Sequence, residues 1–103
     1  MKKQAEKQVQ SDILKYLKKQ GCYVVKIIVA NESGVSDILC CKDGHFISIE
    51  VKATGKKRNV SELQKLHLQR VKDAGGTAFV ADSLSDVISE LKIKEDKEDG
   101  KKR

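Results

Sequence analysis

Asp37 and the triplet Glu50-Val51-Lys52 are the residues of this 103-residue chain whose types and spacing best suit chemistry. Between them lies Lys42-Asp43-Gly44-His45, and Asp-Gly between apolar runs predicts a β-hairpin closed by a two-residue type I′ turn. With Asp43 and Gly44 as the turn, Lys42 pairs with His45, and stepping five residues back along each arm sets Asp37 opposite Glu50. Directly opposed residues share a sheet face with Cβ atoms about 4.5–5.5 Å apart, so two carboxylates so placed repel unless a cation lies between them. Lys52 follows Glu50 by two and points to the same face. An odd-numbered loop would shift the register and separate the acids. The plainer alternative is a solvated hairpin face. Ile47, Ile49 and Val51 form the apolar face opposite Glu50, whereas Leu39 and Phe46 share Glu50's face and predict that it is partly covered.

Seven elements must position these groups. Gln4 to Gln20 predicts a helix with Val9, Ile13 and Leu17 as its buried stripe and Gly21 as its stop. Glu6 falls on the same stripe, where a carboxylate is costly unless paired or bound to a cation, or else sits exposed in the first turn. Cys22 to Val29 is a β-branched run broken only by Lys26 and predicts a buried strand. Val35 to Lys42 and His45 to Ala53 are the hairpin arms. Thr54 to Asn59 predicts a loop in which Lys56, Lys57 and Arg58 stand next to the acids, with Gly55 to let it move. Ser61 to Ala74 predicts a second helix with Leu63, Leu66, Val71 and Ala74 as its apolar stripe. Ser61-Glu62-Leu63-Gln64 matches a capping box and gives Gln64 an ordinary structural role. Thr77 to Ala81 is a short buried strand, parallel to the arm that holds Glu50 because a helix connects them. A third helix runs from Ser83 or Ser85 to about Lys92. The order αβββαβα predicts an α/β fold with a central mixed sheet flanked by helices.

Composition bounds the function. One small domain is expected over residues 1–92, with residues 93–103 a charged disordered tail lacking apolar periodicity. No segment is long and apolar enough to span a bilayer and no signal peptide is visible, so a cytoplasmic location is expected. Cys22, Cys40 and Cys41 have no zinc-like spacing and read as small packing residues of a reducing compartment. The net charge is +6. Residues 1–60 hold twelve Lys/Arg against six Asp/Glu, and residues 61–92 hold four against five, so the excess surrounds the hairpin. A basic field around an acidic pocket suits a polyanion. No glycine-rich nucleotide loop, Ser-His-Asp set or CxxC pair is present. His45, at the turn, and His67, on a helix face, receive no catalytic role.

The combination resembles a known group. A helix with Glu6, an aspartate in Gly34-Val35-Ser36-Asp37, the triplet within Ile49-Glu50-Val51-Lys52 and a glutamine in Ser61-Glu62-Leu63-Gln64 look like the PD-(D/E)XK nuclease superfamily, and most like its VRR-NUC branch. The resemblance covers about residues 4–92, with Ser36 where the family usually has proline. It implies a restriction-endonuclease-like αβββαβ core. It implies a Mg²⁺- or Mn²⁺-dependent DNA endonuclease of a bacterial cell or of a phage in its host, similar to the Holliday junction resolvases and working as a homodimer on branched DNA. In that frame Asp37, Glu50 and the Val51 carbonyl hold the metal, and Glu6 joins through a water. Lys52 assists the attacking water, and Gln64 orients Lys52 or that water in addition to any capping role. Lys56, Lys57 and Arg58, with Lys2, Lys3 and Lys7, are expected to contact DNA phosphates. The alternatives are a nicking, flap-cutting or defence nuclease, or a non-catalytic DNA-binding module that kept the fold.

Overall fold

The computed structural model describes residues 3–91. The predicted tail at 93–103, Lys92 and Lys2 lie outside these residues.

Helix α1 spans Glu6–Lys19 and buries Val9, Gln10, Ile13 and Leu17. Glu6 is acidic at its first turn and Lys18 and Lys19 are basic at its last, so the ends complement the helix dipole. Gly21, with φ +80, turns the chain out of the helix. Strand β1, Tyr23–Lys26, leads to β2, Ile38–Lys42, and β3, His45–Val51. Helix α2, Glu62–Asp73, then connects to β4, Thr77–Ala81. A last helix, α3, covers residues 84–91. The four strands form one sheet in the order β1-β2-β3-β4. β1 and β2 are antiparallel, as are β2 and β3, whereas β3 and β4 run parallel.

The hairpin register is the one the Asp-Gly turn dictates. Lys42 pairs with His45 and Ile38 with Ile49, and Asp43 and Gly44 carry φ of 51 and 81. Alternation along β3 then assigns its two faces. Ile47, Ile49 and Val51 join Ile38, Val9, Ile13 and Leu17 in the core under α1, and Val87 and Leu91 of α3 pack there too. Ser48 and Glu50 face the other way, toward α2, and both are only 2% exposed. That is the partial cover that Leu39 and Phe46 predicted.

Two expectations change, and one open alternative is decided. The predicted strand at 22–29 pairs only over Tyr23–Lys26, and Ile28 and Val29 are 83% and 86% exposed, because β1 is an edge strand whose continuation peels away into a loop. Glu6 is exposed, and Gln10 takes the polar place on the buried side of α1. In α2 it is Leu68 that is buried, while Leu63 and Leu66 are half exposed. The helix is rotated so that Gln64, Leu68 and Val71 face the sheet, because Gln64 has polar partners there.

The loop before β2 is held close to α2. A side chain at Gly34 would place its Cβ 2.6 Å from the Leu63 carbonyl oxygen, and φ is +92, so only glycine fits. Two residues on, Ser36 is 2% exposed and its hydroxyl has no hydrogen-bond partner. An unpartnered buried hydroxyl is destabilising. Ser36→Ala is therefore expected to raise unfolding stability by about 1 kcal/mol. Urea titration at unchanged m value measures it; a loss of similar size would show that the hydroxyl is satisfied in solution.

Candidate active site

Asp37 enters β2 one step beyond the last hairpin pair. Its carbonyl accepts the Ile27 N–H at 2.7 Å, which continues the β1–β2 ladder, and its Oδ2 accepts the Val51 N–H at 2.8 Å. The second bond fixes the aspartate side chain against the strand that bears Glu50. The Glu50 side chain is buried, and its two oxygens differ. Oε2 accepts from Gln64 Nε2 at 2.7 Å and lies 3.5 Å from Lys52 Nζ, whereas Oε1 has no hydrogen-bond partner. Burial, and next the charge of Asp37, push the Glu50 pKa up from 4.5 to about 7, against the pull of Lys52.

Gln64 occupies both of the roles its position suggested. Ser61 caps α2 by accepting the Gln64 N–H at 3.1 Å, and Gln64 Oε1 accepts the Ser61 N–H at 3.0 Å. The same Oε1 accepts from Lys52 Nζ at 3.2 Å while Nε2 donates to Glu50. The reverse amide orientation would set an NH₂ against two donors and an oxygen against a carboxylate, so the network selects one orientation. Lys52 is also held through its backbone, which donates to the Ala81 carbonyl at 2.9 Å at the end of β4. Asp37, Glu50, Lys52 and Gln64 thus converge from three consecutive structural elements and their junctions.

This donor set fits a hard divalent cation. Two neighbouring carboxylates, one with a buried oxygen lacking any partner, are the kind of site that a cation stabilises and that a metal-free protein satisfies by holding a proton. Among the described residues no group of three or more His, Cys, Asp or Glu side chains comes together. A cation here would therefore rely on two carboxylates with backbone, water or substrate oxygens, the pattern typical of Mg²⁺.

A pH effect follows from the raised pKa. Glu50 binds its proton more tightly folded than unfolded, so its contribution is fully present below pH 4.5 and is lost as pH rises through about 7. The metal-free protein is expected to lose on the order of 3 kcal/mol across that window from this group. Glu50→Gln is expected to flatten the profile, and Mg²⁺ to stabilise the native chain more at pH 8 than at pH 5. Denaturant midpoints at several pH values check both; a profile unchanged by Glu50→Gln removes the buried-acid account.

The other predicted residues fall around this centre. Glu6 and Lys7 line a recess of about 530 Å³ that also reaches Asp37, so Glu6 stands at the rim and does not join the carboxylate pair. The basic loop is fastened, contrary to the mobility expected from Gly55. The Gly55 N–H donates to Asp82 Oδ2 at 3.0 Å, Thr54 and Gln4 exchange backbone and hydroxyl bonds, and Lys57 Nζ lies 3.0 Å from Asp86 Oδ1. Burial acts to raise the Asp86 pKa, but the Asp82 N–H and Lys57 outweigh it and hold that carboxyl below its usual value. Lys57 is thus already paired, while Lys56, Arg58 and Lys3 are exposed. The sequence reading missed Asp82 and Asp86. Their signal was the Asp82-Ser83…Asp86 spacing, in which Ser83 accepts the Asp86 N–H at the start of α3. His67 is remote from the acids; it lies 3.5 Å from Glu32, beside Arg70 at 3.2 Å from the same carboxylate.

An aspartate and an E-x-K triplet on adjoining strands, crossed by a glutamine from the following helix, define a nuclease of the PD-(D/E)XK kind. The VRR_NUC domain of a solved structure is similar, with 26% identity and a TM-score of 0.68 over 84% of this chain and 94% of that one. The model of the archaeal Holliday junction resolvase (Hjc) family matches residues 1–99, and the chain belongs to that family. No curated protein sequence matches it. No described helix is long and apolar enough to cross a membrane.

Proposed function

We propose that the protein is a Mg²⁺- or Mn²⁺-dependent endonuclease that acts as a homodimer on branched DNA and resolves four-way junctions. The observation that carries this reading is the Gln64 amide bridging Glu50 and Lys52 beside Asp37, with one Glu50 oxygen buried and unpartnered. Asp37 and Glu50 would hold the cation together with the Val51 carbonyl, and Glu6 would complete its surroundings through a water. Such a cation lowers the pKa of bound water and polarises a phosphoryl oxygen.

The remaining work belongs to this chain's own groups. The Val51 N–H keeps Asp37 Oδ2 aimed, so one acid arrives preoriented. The Lys52 ammonium, steadied by Gln64 Oε1, neutralises charge that builds on the phosphate and hydrogen-bonds the attacking water. Gln64 Nε2 holds Glu50 Oε2, the oxygen that also faces Lys52. Lys56, Arg58, Lys3 and Lys7, with Lys2 and with Lys57 once released from Asp86, would grip the phosphate backbone. A symmetric dimer suits a junction, which presents two related strands. Exposed Ile28, Val29, Leu63 and Leu66 supply apolar surface that a second copy would cover.

The test incubates the chain with labelled four-way junction, flap and linear duplex in Mg²⁺ or EDTA. Paired symmetric nicks confined to the junction in Mg²⁺ are expected. Cleavage of flaps or duplex alone would assign a nuclease of another specificity. Binding in EDTA with no cleavage of any substrate in Mg²⁺ would leave a DNA-binding module.

A further inference from the structure

We infer that the groove between α1 and the edge strand β1 is a track for the phosphate backbone of DNA, leading away from Asp37. The inference rests on the nuclease reading above and adds a surface to it. Two recesses adjoin and share Lys7, Gln10 and Lys26. The first, which contains Asp37, is the rim of the candidate metal centre. The second, about 310 Å³, continues along α1 past Lys15 and Lys18. Its lining holds four lysines and no carboxylate.

The state of these cations sets them apart from Lys52 and Lys57, and their common groove sets them apart from the exposed Lys3, Lys56 and Arg58. Lys52 is paired with Glu50 and Lys57 with Asp86. Lys7, Lys15, Lys18 and Lys26 form no ion pair with any described residue. Four uncompensated ammonium groups around one groove repel one another, and a polyanion relieves that repulsion while its own counterions are released. The row is also the right shape. Helix α1 rises about 1.5 Å per residue, so Lys7 to Lys18 spans about 16 Å, close to five nucleotide steps of one strand at about 3.4 Å each. A single file of cations that adjoins the recess holding Asp37 matches one strand running from the cut site better than a flat anionic surface.

The experiment measures binding to junctions in Ca²⁺ across a salt series, by fluorescence anisotropy. Lys15→Gln/Lys18→Gln removes two charges from the groove at little cost in helix propensity. Lys65→Gln/Lys72→Gln removes two from α2, on the opposite face of the sheet. The groove variant is expected to bind at least tenfold more weakly at 0.1 M salt and to reduce the slope of log K against log salt by about two. The α2 variant should change the slope by less than about half a unit, and Lys15→Arg/Lys18→Arg should keep the native slope. Shortening the junction arm on that side below about five base pairs should erase the difference between native and groove variant. Equal slopes for the groove and α2 variants would overturn the track while leaving the active site intact, provided the native chain binds and cuts. Failure of the native chain to bind any DNA would overturn both.

Discussion

Asp37→Asn and Glu50→Gln are each expected to lower the single-turnover cleavage rate in Mg²⁺ by about 10³-fold or more, while binding to a four-way junction in Ca²⁺ is expected to persist or tighten. The reason is the division of labour at the site. Asp37 Oδ2 is fixed by the Val51 N–H and Glu50 Oε2 by Gln64, so amides of the same shape keep most of the structure. What they remove is the negative charge that would hold a divalent cation under the proposed function, worth several kcal/mol of barrier in reactions of this type. Removing a carboxylate also removes repulsion toward phosphate, so affinity does not fall with rate. Glu50→Gln should in addition stabilise the metal-free chain at pH 8, since burial and Asp37 hold the Glu50 pKa near 7. Mixing labelled junction with excess enzyme and Mg²⁺ separates rate from binding. Native cleavage by either variant would mean that the two acids do not form the metal site.

Gln64→Glu and Ser61→Ala separate two functions that one side chain combines. Gln64 Oε1 takes both the Ser61 N–H and Lys52 Nζ, so loss of rate in a plain alanine variant could reflect a damaged helix end. Glutamate at this position still accepts the Ser61 N–H and keeps the capping box. It replaces the NH₂ donor to Glu50 with a further carboxylate, which raises the Glu50 pKa more and draws Lys52 away from the phosphate. Its cleavage rate is expected to fall by about 10²-fold, with less metal affinity at pH 7. Ser61→Ala costs about 1 kcal/mol of stability through the lost cap, and its rate should stay within about threefold of native. Cleavage rates and urea midpoints of the two variants, measured side by side, decide the matter. A fast Gln64→Glu enzyme would reduce Gln64 to a helix cap.

The groups of the site were legible in the sequence to different degrees, for physical reasons. Asp43-Gly44 admits one tight turn, and a two-residue turn fixes the register of everything paired behind it. That is why Asp37 could be set across from Glu50 and why Ile49 and Val51 could be assigned to the core. The capping box was likewise local, and Ser61 and Gln64 occupy it. Glu6 was harder, because a first-turn residue lies on the helical stripe by spacing yet escapes burial when nothing packs over the helix end. The apolar stripe of α2 misled for a related reason. Leu63 and Leu66 have helical spacing, but the hydrogen bonds of Gln64 to Glu50 and Lys52 turn the helix so that Leu68 faces inward.

The basic loop shows the same limit. Lys56-Lys57-Arg58 after Gly55 suggests a free arm, and nothing nearby in sequence indicates that Asp82 and Asp86 hold it. Those acids arrive with the β4–α3 junction, some thirty residues later, and only the parallel pairing of β3 with β4 brings them alongside.

By itself the sequence determined the hairpin, its register, the order of helices and strands, and the acid pair with its lysine, because each follows from turn chemistry, alternation or capping over short spans. The tertiary structure alone decided that Gln64 joins cap and site, that one Glu50 oxygen is buried without a partner, that Lys57 is tied to Asp86, and that lysines of α1 and β1 line one groove. Such facts depend on which faces of distant elements meet, and that is set by packing and long-range hydrogen bonds rather than by any local preference of the chain.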